Sequence, residues 1–117
     1  MEKKQITIIG AEVDDLLMCK YYLSKGFEPI VFEFESHIGG VWAKTLKDIR
    51  LQIPKTMYQF YDYPWPASIT EYLPTQQETI DYIHSYVKHF QLMPHINFCS
   101  RVKGISYDEP SSDSRVI

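Results

Sequence analysis

Gln5-Ile6-Thr7-Ile8-Ile9 is a short apolar run rich in β-branched side chains, the pattern of a buried strand in a parallel sheet. Gly10 interrupts it. Leu16, Leu17, Cys19, Tyr21 and Leu23 then predict a mostly apolar helix, stopped at Lys25-Gly26 with glycine where a helix C-cap belongs. Pro29-Ile30-Val31-Phe32-Glu33 reads as a second strand. Strand, helix and strand over residues 5–33 predict a right-handed βαβ crossover and a parallel sheet.

The pattern changes over residues 45–74, which carry four prolines and the aromatics Tyr58, Phe60, Tyr61, Tyr63 and Trp65. This stretch predicts a long excursion packed over the sheet, with short helical turns. Thr75-Gln76-Gln77-Glu78 has the spacing of a capping box. The helix it opens, residues 76–90, places Ile80, Ile83, Val87 and Phe90 on one stripe. Ile96, Phe98, Ser100 and Val102 alternate with polar positions and predict a strand over 96–103. A polar turn over 108–114 leads into Arg115-Val116-Ile117, read as the start of a return strand in a hairpin. A hairpin that stops there leaves a strand edge unpaired, which predicts a domain incomplete at its C-terminus and self-association through that exposed edge.

With 117 residues the chain has room for one domain. Its 12 basic and 15 acidic residues give a net charge of -3, which offers no attraction to nucleic acid or to an anionic membrane. No apolar run approaches the roughly 18 residues of a membrane span. The stretch after Lys3-Lys4 ends at Glu12, Asp14 and Asp15, so it is no secretory signal. Cys19 and Cys99 sit among apolar residues without metal-site spacing. They read as buried, reduced thiols of an intracellular, cytoplasmic protein. His37, His84, His89 and His95 share no ligand spacing and read as surface residues; no metal site is expected.

The chemistry concentrates between the first two strands. A dinucleotide fold needs a strand, a glycine-rich turn and a helix N-terminus aimed at the pyrophosphate. Here the turn reads Gly10-Ala11-Glu12-Val13-Asp14-Asp15, so only the first of its three glycines remains. Glu33 closes the second strand about twenty residues on, where a carboxylate accepts hydrogen bonds from ribose hydroxyls. Gly39-Gly40-Val41-Trp42 follows, a glycine pair that lets backbone lie against a cofactor with an aromatic ring beside it. The fold class is therefore α/β, a Rossmann-like βαβ unit with a parallel sheet, forming part of an FAD-binding domain over residues 1–117.

The ordered set Ile8-Ile9-Gly10-Ala11, Val31-Phe32-Glu33, Ile38-Gly39-Gly40-Val41-Trp42 and Tyr63-Pro64-Trp65-Pro66 resembles the N-terminal part of the flavin-containing monooxygenases. The stretches Lys55 to Pro66 and Tyr82 to Phe98 are most similar to the plant branch. The resemblance runs from Ile6 to about Ile105. It implies FAD as cofactor and NADPH as reductant, with O2-dependent oxygenation of a small nitrogen- or sulfur-containing nucleophile. By position, Gly10, Ala11, Glu12, Val13 and Asp14 would line the pyrophosphate and Glu33 the ribose. Gly39 and Gly40 would let backbone approach the cofactor, and Val41 and Trp42 would meet the flavin side. No catalytic side chain is assigned. The NADPH site of the family, in a second glycine-rich motif, is not within this chain, which reads as a fragment.

The chain departs from the family pattern at three places: its length, Ile53-Pro54 where many members carry Thr-Asn, and the acids at 12 and 15. Two unit charges about 4 Å apart interact by about 4 kcal/mol at an effective dielectric near 20, so Glu12 facing a diphosphate costs on the order of a hundredfold or more in affinity. Asp14 and Asp15 instead suit the positive end of a helix dipole. Two other readings stay open: a non-catalytic remnant that binds a partner chain, and a small nucleotide-binding module. Residues 10–15 can equally be an acid-capped turn without ligand. Trp42 and the aromatics at 58–65 divide between packing and cofactor cover.

Overall fold

The computed structural model describes residues 3–40, 54–106 and 114–116. Strand β1 spans Gln5–Ile9 and turns Ile6 and Ile8 inward. Helix α1, Val13–Ser24, buries Leu16 and Cys19. Its C-terminus is a Schellman motif. Gly26 at φ +87 sends its amide to the Leu23 carbonyl, Phe27 sends its own to Tyr22, and the Tyr22 and Phe27 rings meet edge to face. Strand β2, Glu28–Phe32, pairs in parallel with β1 in the register Ile6↔Pro29, Ile8↔Val31.

Helix α2, Gln76–His89, opens on a reciprocal box in which Thr75 Oγ1 accepts the Glu78 amide and Glu78 Oε1 accepts the Thr75 amide. It buries Ile83 and Val87 on one side and Thr79, Tyr82 and Tyr86 on another. Strand β3, Ile96–Asn97, pairs with β2, and β4, Ser114–Val116, pairs with β1. All pairings are parallel and the order is β3-β2-β1-β4, which matches the first strands of a doubly wound dinucleotide fold. One buried apolar cluster joins Ile6, Ile8 and Val31 of the sheet with Leu16 and Cys19 of α1 and Ile83, Tyr86 and Val87 of α2.

Several sequence expectations are corrected here. The strand expected over 96–103 keeps ladder pairing only at Ile96–Asn97. Cys99 adopts φ +54, which breaks the pleat, and the backbone then bonds locally through Cys99 N to Glu35 O and Ser100 N to Glu33 O. The last strand forms no hairpin. It pairs in parallel with β1, at the opposite edge of the sheet from β3, because a parallel neighbour is reached by a crossover and not by a tight turn. The described part of the excursion packs on α2 and shares one buried cluster with the sheet residues Ile6, Ile8 and Val31. Phe60 stacks on Tyr86 at 3.6 Å and Trp65 on Tyr82 at 4.0 Å. The Trp65 indole N–H is shared by the Lys55 and Tyr58 carbonyls, both at 2.8 Å. Lys20 of α1 forms a salt bridge to Asp62 in the same stretch.

Cys19 is buried as expected, but Cys99 is exposed, its left-handed backbone turning it out of the sheet. His84 and His89 are exposed. His37 and His95 are half-buried, with His95 Nδ1 3.2 Å from the Pro29 carbonyl oxygen. Among the described residues no helix is long and apolar enough to cross a membrane, and no group of His, Cys, Asp and Glu is arranged to hold a metal ion.

Candidate functional site

Gly10 follows β1 at φ +106, a conformation that favours glycine, and donates its amide to Phe32 O at 2.8 Å. The ladder thus continues one residue past the strand and sets Ala11 beside the end of β2. Ala11 is fully buried, and its amide donates to Glu33 Oε1 at 2.8 Å. Glu33 Oε2 accepts the Glu35 amide at 2.7 Å. The carboxylate is only 7% exposed, and two buried amide donors offset much of the cost of placing a charge there. With about four lone-pair positions on a carboxylate, two acceptor directions are left over.

Glu12 is the N-cap of α1. Asp15 Oδ2 accepts the Glu12 amide at 3.2 Å, and the Glu12 carboxylate faces the Asp15 amide, closing a capping box. Val13 is half-buried and Asp14 exposed on the first turn. Burial pushes the Asp15 carboxyl above the ordinary carboxylate range. The hydrogen bond from Glu12 pulls the other way, and the charges of Glu12, Asp14 and Glu33 raise it further.

The glycine pair closes on this turn. Gly39 donates its amide to Ala11 O at 3.2 Å. Gly40 lies at φ +54, and a Cβ built on it would stand 2.5 Å from Glu12 Cγ and 2.8 Å from Glu12 Cδ and Oε1. A Cβ on Gly10 would stand 2.8 Å from Asp15 Oδ2. Gly10, Ala11, Glu12, Glu33, Gly39 and Gly40 are therefore brought together as one unit, with Val13 and Asp14 on the adjoining turn. Val41 and Trp42 lie outside the described residues, as do Ile53 and residues 45–52 of the excursion.

A cavity of about 660 Å³ opens at the C-terminal ends of β1 and β2, lined among others by Gly10, Glu12, Asp15, Glu33, Phe34 and Arg101. The crevice thus lies outside the carboxyl ends of the parallel strands β1 and β2, the face on which open α/β sheets bind ligands. Sequence reasoning did not place Phe34 or Arg101 here. Phe34 was within reach, two residues beyond the inward end of β2. Arg101 had no signal, since the bend at Cys99 brings it to the crevice. Its guanidinium lies over the Phe34 ring at 5.8 Å.

Residues 3–115 match the family model described as flavin-binding monooxygenase-like. Flavin-containing monooxygenase 2 of Arabidopsis thaliana is 37% identical over 99 residues, which covers 84% of this chain and 21% of that protein. The chain thus spans about a fifth of that relative's length. Among solved structures, S-allyl-L-cysteine S-oxygenase from Allium sativum is similar with a TM-score of 0.75 at 20% identity, covering 84% of this chain and 28% of that one. The OTEMO complex with FAD and NADP reaches a TM-score of 0.77 at 20% identity over 90% of this chain and 21% of that one. These two structures share the fold over most of this chain. Sheet order, turn and family model agree: the chain belongs to the flavin-binding monooxygenase-like family.

Proposed function

We propose that this chain supplies the first part of the dinucleotide-binding domain of an FAD- and NADPH-dependent monooxygenase. The substrate of the whole protein would be a small nitrogen- or sulfur-containing nucleophile, oxygenated with O2. The observation that carries the reading is Glu33: a buried carboxylate, held by two backbone amides, with acceptor capacity to spare beside a cavity of about 660 Å³. A ribose diol needs such an acceptor, and the family's relatives supply the rest of the chemistry. Gly10, Ala11, Glu12, Val13 and Asp14 would face the pyrophosphate, Gly39 and Gly40 the cofactor along their backbone, and Val41 and Trp42 the flavin. In such a protein the flavin carries the redox chemistry, while the chain binds, orients and excludes water.

The fit of FAD to this crevice is uneven. The ribose end fits, since Glu33 presents acceptors to hydroxyl donors. The diphosphate end does not fit while Glu12 and Asp15 are ionised, because their carboxylates place negative charge over Gly40 and Gly10, where the phosphates would approach. FAD affinity is accordingly weakened in this reading. The remaining features of the reading are a cytoplasmic protein and self-association through the outer strands β3 and β4 of the described sheet. Light scattering on the purified chain tests the latter, where a monodisperse monomer would remove it.

The cofactor reading is tested by titrating the protein with FAD, adenosine, AMP and ADP, following flavin fluorescence or heat. Saturable binding of at least one is expected, and Glu33→Gln should weaken it about tenfold, since a hydrogen bond to a charged acceptor contributes about 1.5–3 kcal/mol. Absence of saturable binding by all four ligands would sink the reading.

A further inference from the structure

Two glycines with positive φ stand at this turn: Gly10 at +106, which lines the crevice, and Gly40 at +54, which lies against Glu12. A missing side chain at such positions lets a ligand approach the backbone. In this chain the space over each is taken by one of its own carboxylates. Asp15 Oδ2 stands 2.8 Å from the Cβ position of Gly10, and Glu12 Oε1 stands 2.8 Å from that of Gly40. The donors are engaged as well: the Glu12 amide goes to Asp15, the Ala11 amide to Glu33 and the Gly39 amide to Ala11 O. A phosphate arriving at this helix N-terminus would meet an internal anion already seated.

We propose that the crevice takes the uncharged ribonucleoside end of a dinucleotide and discriminates against its phosphates, with Glu12 and Asp15 as the specificity-determining residues. The proposal rests on the reading of this crevice as a nucleotide site. The charges that face the phosphate position support it. Glu12 comes from the turn, Asp15 from α1 with Asp14 beside it, Glu33 from the residue after β2, and the guanidinium of Arg101 from the segment after β3. Among the described residues, Glu12, Asp15 and Glu33 line the cavity against one cation, Arg101, which lies over the Phe34 ring. A neutral nucleoside meets none of this repulsion, yet it keeps the Glu33 acceptors. In a cradle built from glycines and free amides the order would be reversed, with each phosphate adding affinity.

The test is calorimetric titration of the protein with adenosine, AMP and ADP at neutral pH and low salt. It is repeated on the isosteric Glu12→Gln/Asp15→Asn variant and on Glu12→Gly/Asp15→Gly, with circular dichroism confirming that each variant is folded. Adenosine is expected to bind at least about tenfold more tightly than ADP, with AMP between, a floor set well below the unscreened effect of one nearby charge because Glu12 is exposed to solvent. Neutralisation to Gln and Asn should bring the gap below about threefold, because those side chains keep the bulk and lose the charge. ADP binding as tightly as adenosine to the unchanged protein would overturn the proposal while leaving the FAD reading standing. A gap that persists in the Gln/Asn variant and closes only in the glycine variant would also overturn it, assigning the effect to bulk. Failure of all three ligands to bind would overturn both this proposal and the nucleotide reading beneath it.

Discussion

Replacing Glu33 by glutamine changes one charged oxygen into an NH2 group and leaves the volume nearly unchanged. The carboxylate accepts the Ala11 amide at 2.8 Å and the Glu35 amide at 2.7 Å in a position that is 7% exposed. Glutamine has one oxygen, so it can serve one of these amides. The other then faces a second donor and is left unpaired, at a cost of about 1–3 kcal/mol, while the surviving bond loses charge assistance worth about 1 kcal/mol. Removing the charge also relieves repulsion from Asp15 and Glu12, but both act through partly exposed, high-dielectric surroundings and return less than about 1 kcal/mol. The lost amide partner wins, and the net destabilisation should be about 2 kcal/mol. With a urea slope of about 1–3 kcal/mol per molar, the unfolding midpoint should fall by roughly 1 M. Hydrogen exchange then localises the effect: the Ala11 or Glu35 amide should lose protection beyond the global change. A midpoint that does not fall, or unchanged relative protection at both amides, would refute the reasoning that Glu33 organises this turn before any ligand arrives.

The two buried tyrosines of α2 should respond oppositely. The Tyr82 hydroxyl accepts the Phe60 amide at 2.8 Å and donates to Tyr63 O, so Tyr82→Phe should cost about 1–3 kcal/mol in urea unfolding. The Tyr86 hydroxyl is buried without a hydrogen-bond partner among the described residues, so Tyr86→Phe should be neutral or stabilising; a loss above 1 kcal/mol or so would contradict that. Burial pushes the Cys19 thiol up to about 12, whereas Cys99 is exposed. A thiol reagent at neutral pH should therefore label Cys99 in the folded protein and Cys19 only after denaturant, as mass spectrometry of the peptides would read. Asp15 titrates above the ordinary aspartate value of 3.8, chiefly through burial. The native state therefore takes up this proton first: its contribution to stability rises as pH falls from the folded value toward 3.8 and is lost as pH rises. Asp15→Asn should flatten that part of the urea-midpoint profile, and an unchanged profile would count against the shift.

The βαβ unit was legible because local pattern and tertiary role agree there. Ile6, Ile8 and Val31 are apolar and buried, and the Gly26 stop is the residue that a left-handed C-terminus requires. Glu33 was legible from its spacing, yet its hold on Ala11 was not, because that contact exists only in the register that sets Ile9 beside Phe32. The strand read over 96–103 shows a different limit. Ile96, Phe98, Ser100 and Val102 are each less exposed than their neighbours, so the alternation is real. What ends the ladder is a positive φ at Cys99, which nothing in the residue type signals. In α2 the Ile83 and Val87 stripe was visible, but the burial of Tyr82 and Tyr86 depends on Phe60 and Trp65 arriving from the excursion. Three residues at 114–116 carry too little pattern to name a partner strand.

The acids at the start of α1 bear on fold and ligand in opposite directions, and magnitudes separate the two. A helix N-terminus leaves amides and a positive dipole end to be satisfied. A bound phosphate does this in a dinucleotide site, and here the box between Glu12 and Asp15 does it internally, with Asp14 beside it. A cap contributes about 1 kcal/mol and an acid in the first turn about 0.3–1 kcal/mol, present with or without ligand. The repulsion of a diphosphate by one such acid at about 4 Å is of order 4 kcal/mol, felt only on binding. A modest gain for the empty fold therefore accompanies a larger loss for an anionic ligand. The strand order and Glu33 persist through this exchange because neither depends on the phosphate. The chain can therefore hold the family's fold and, in the proposed reading, a ribose acceptor at Glu33, while the turn after β1 is closed by its own side chains.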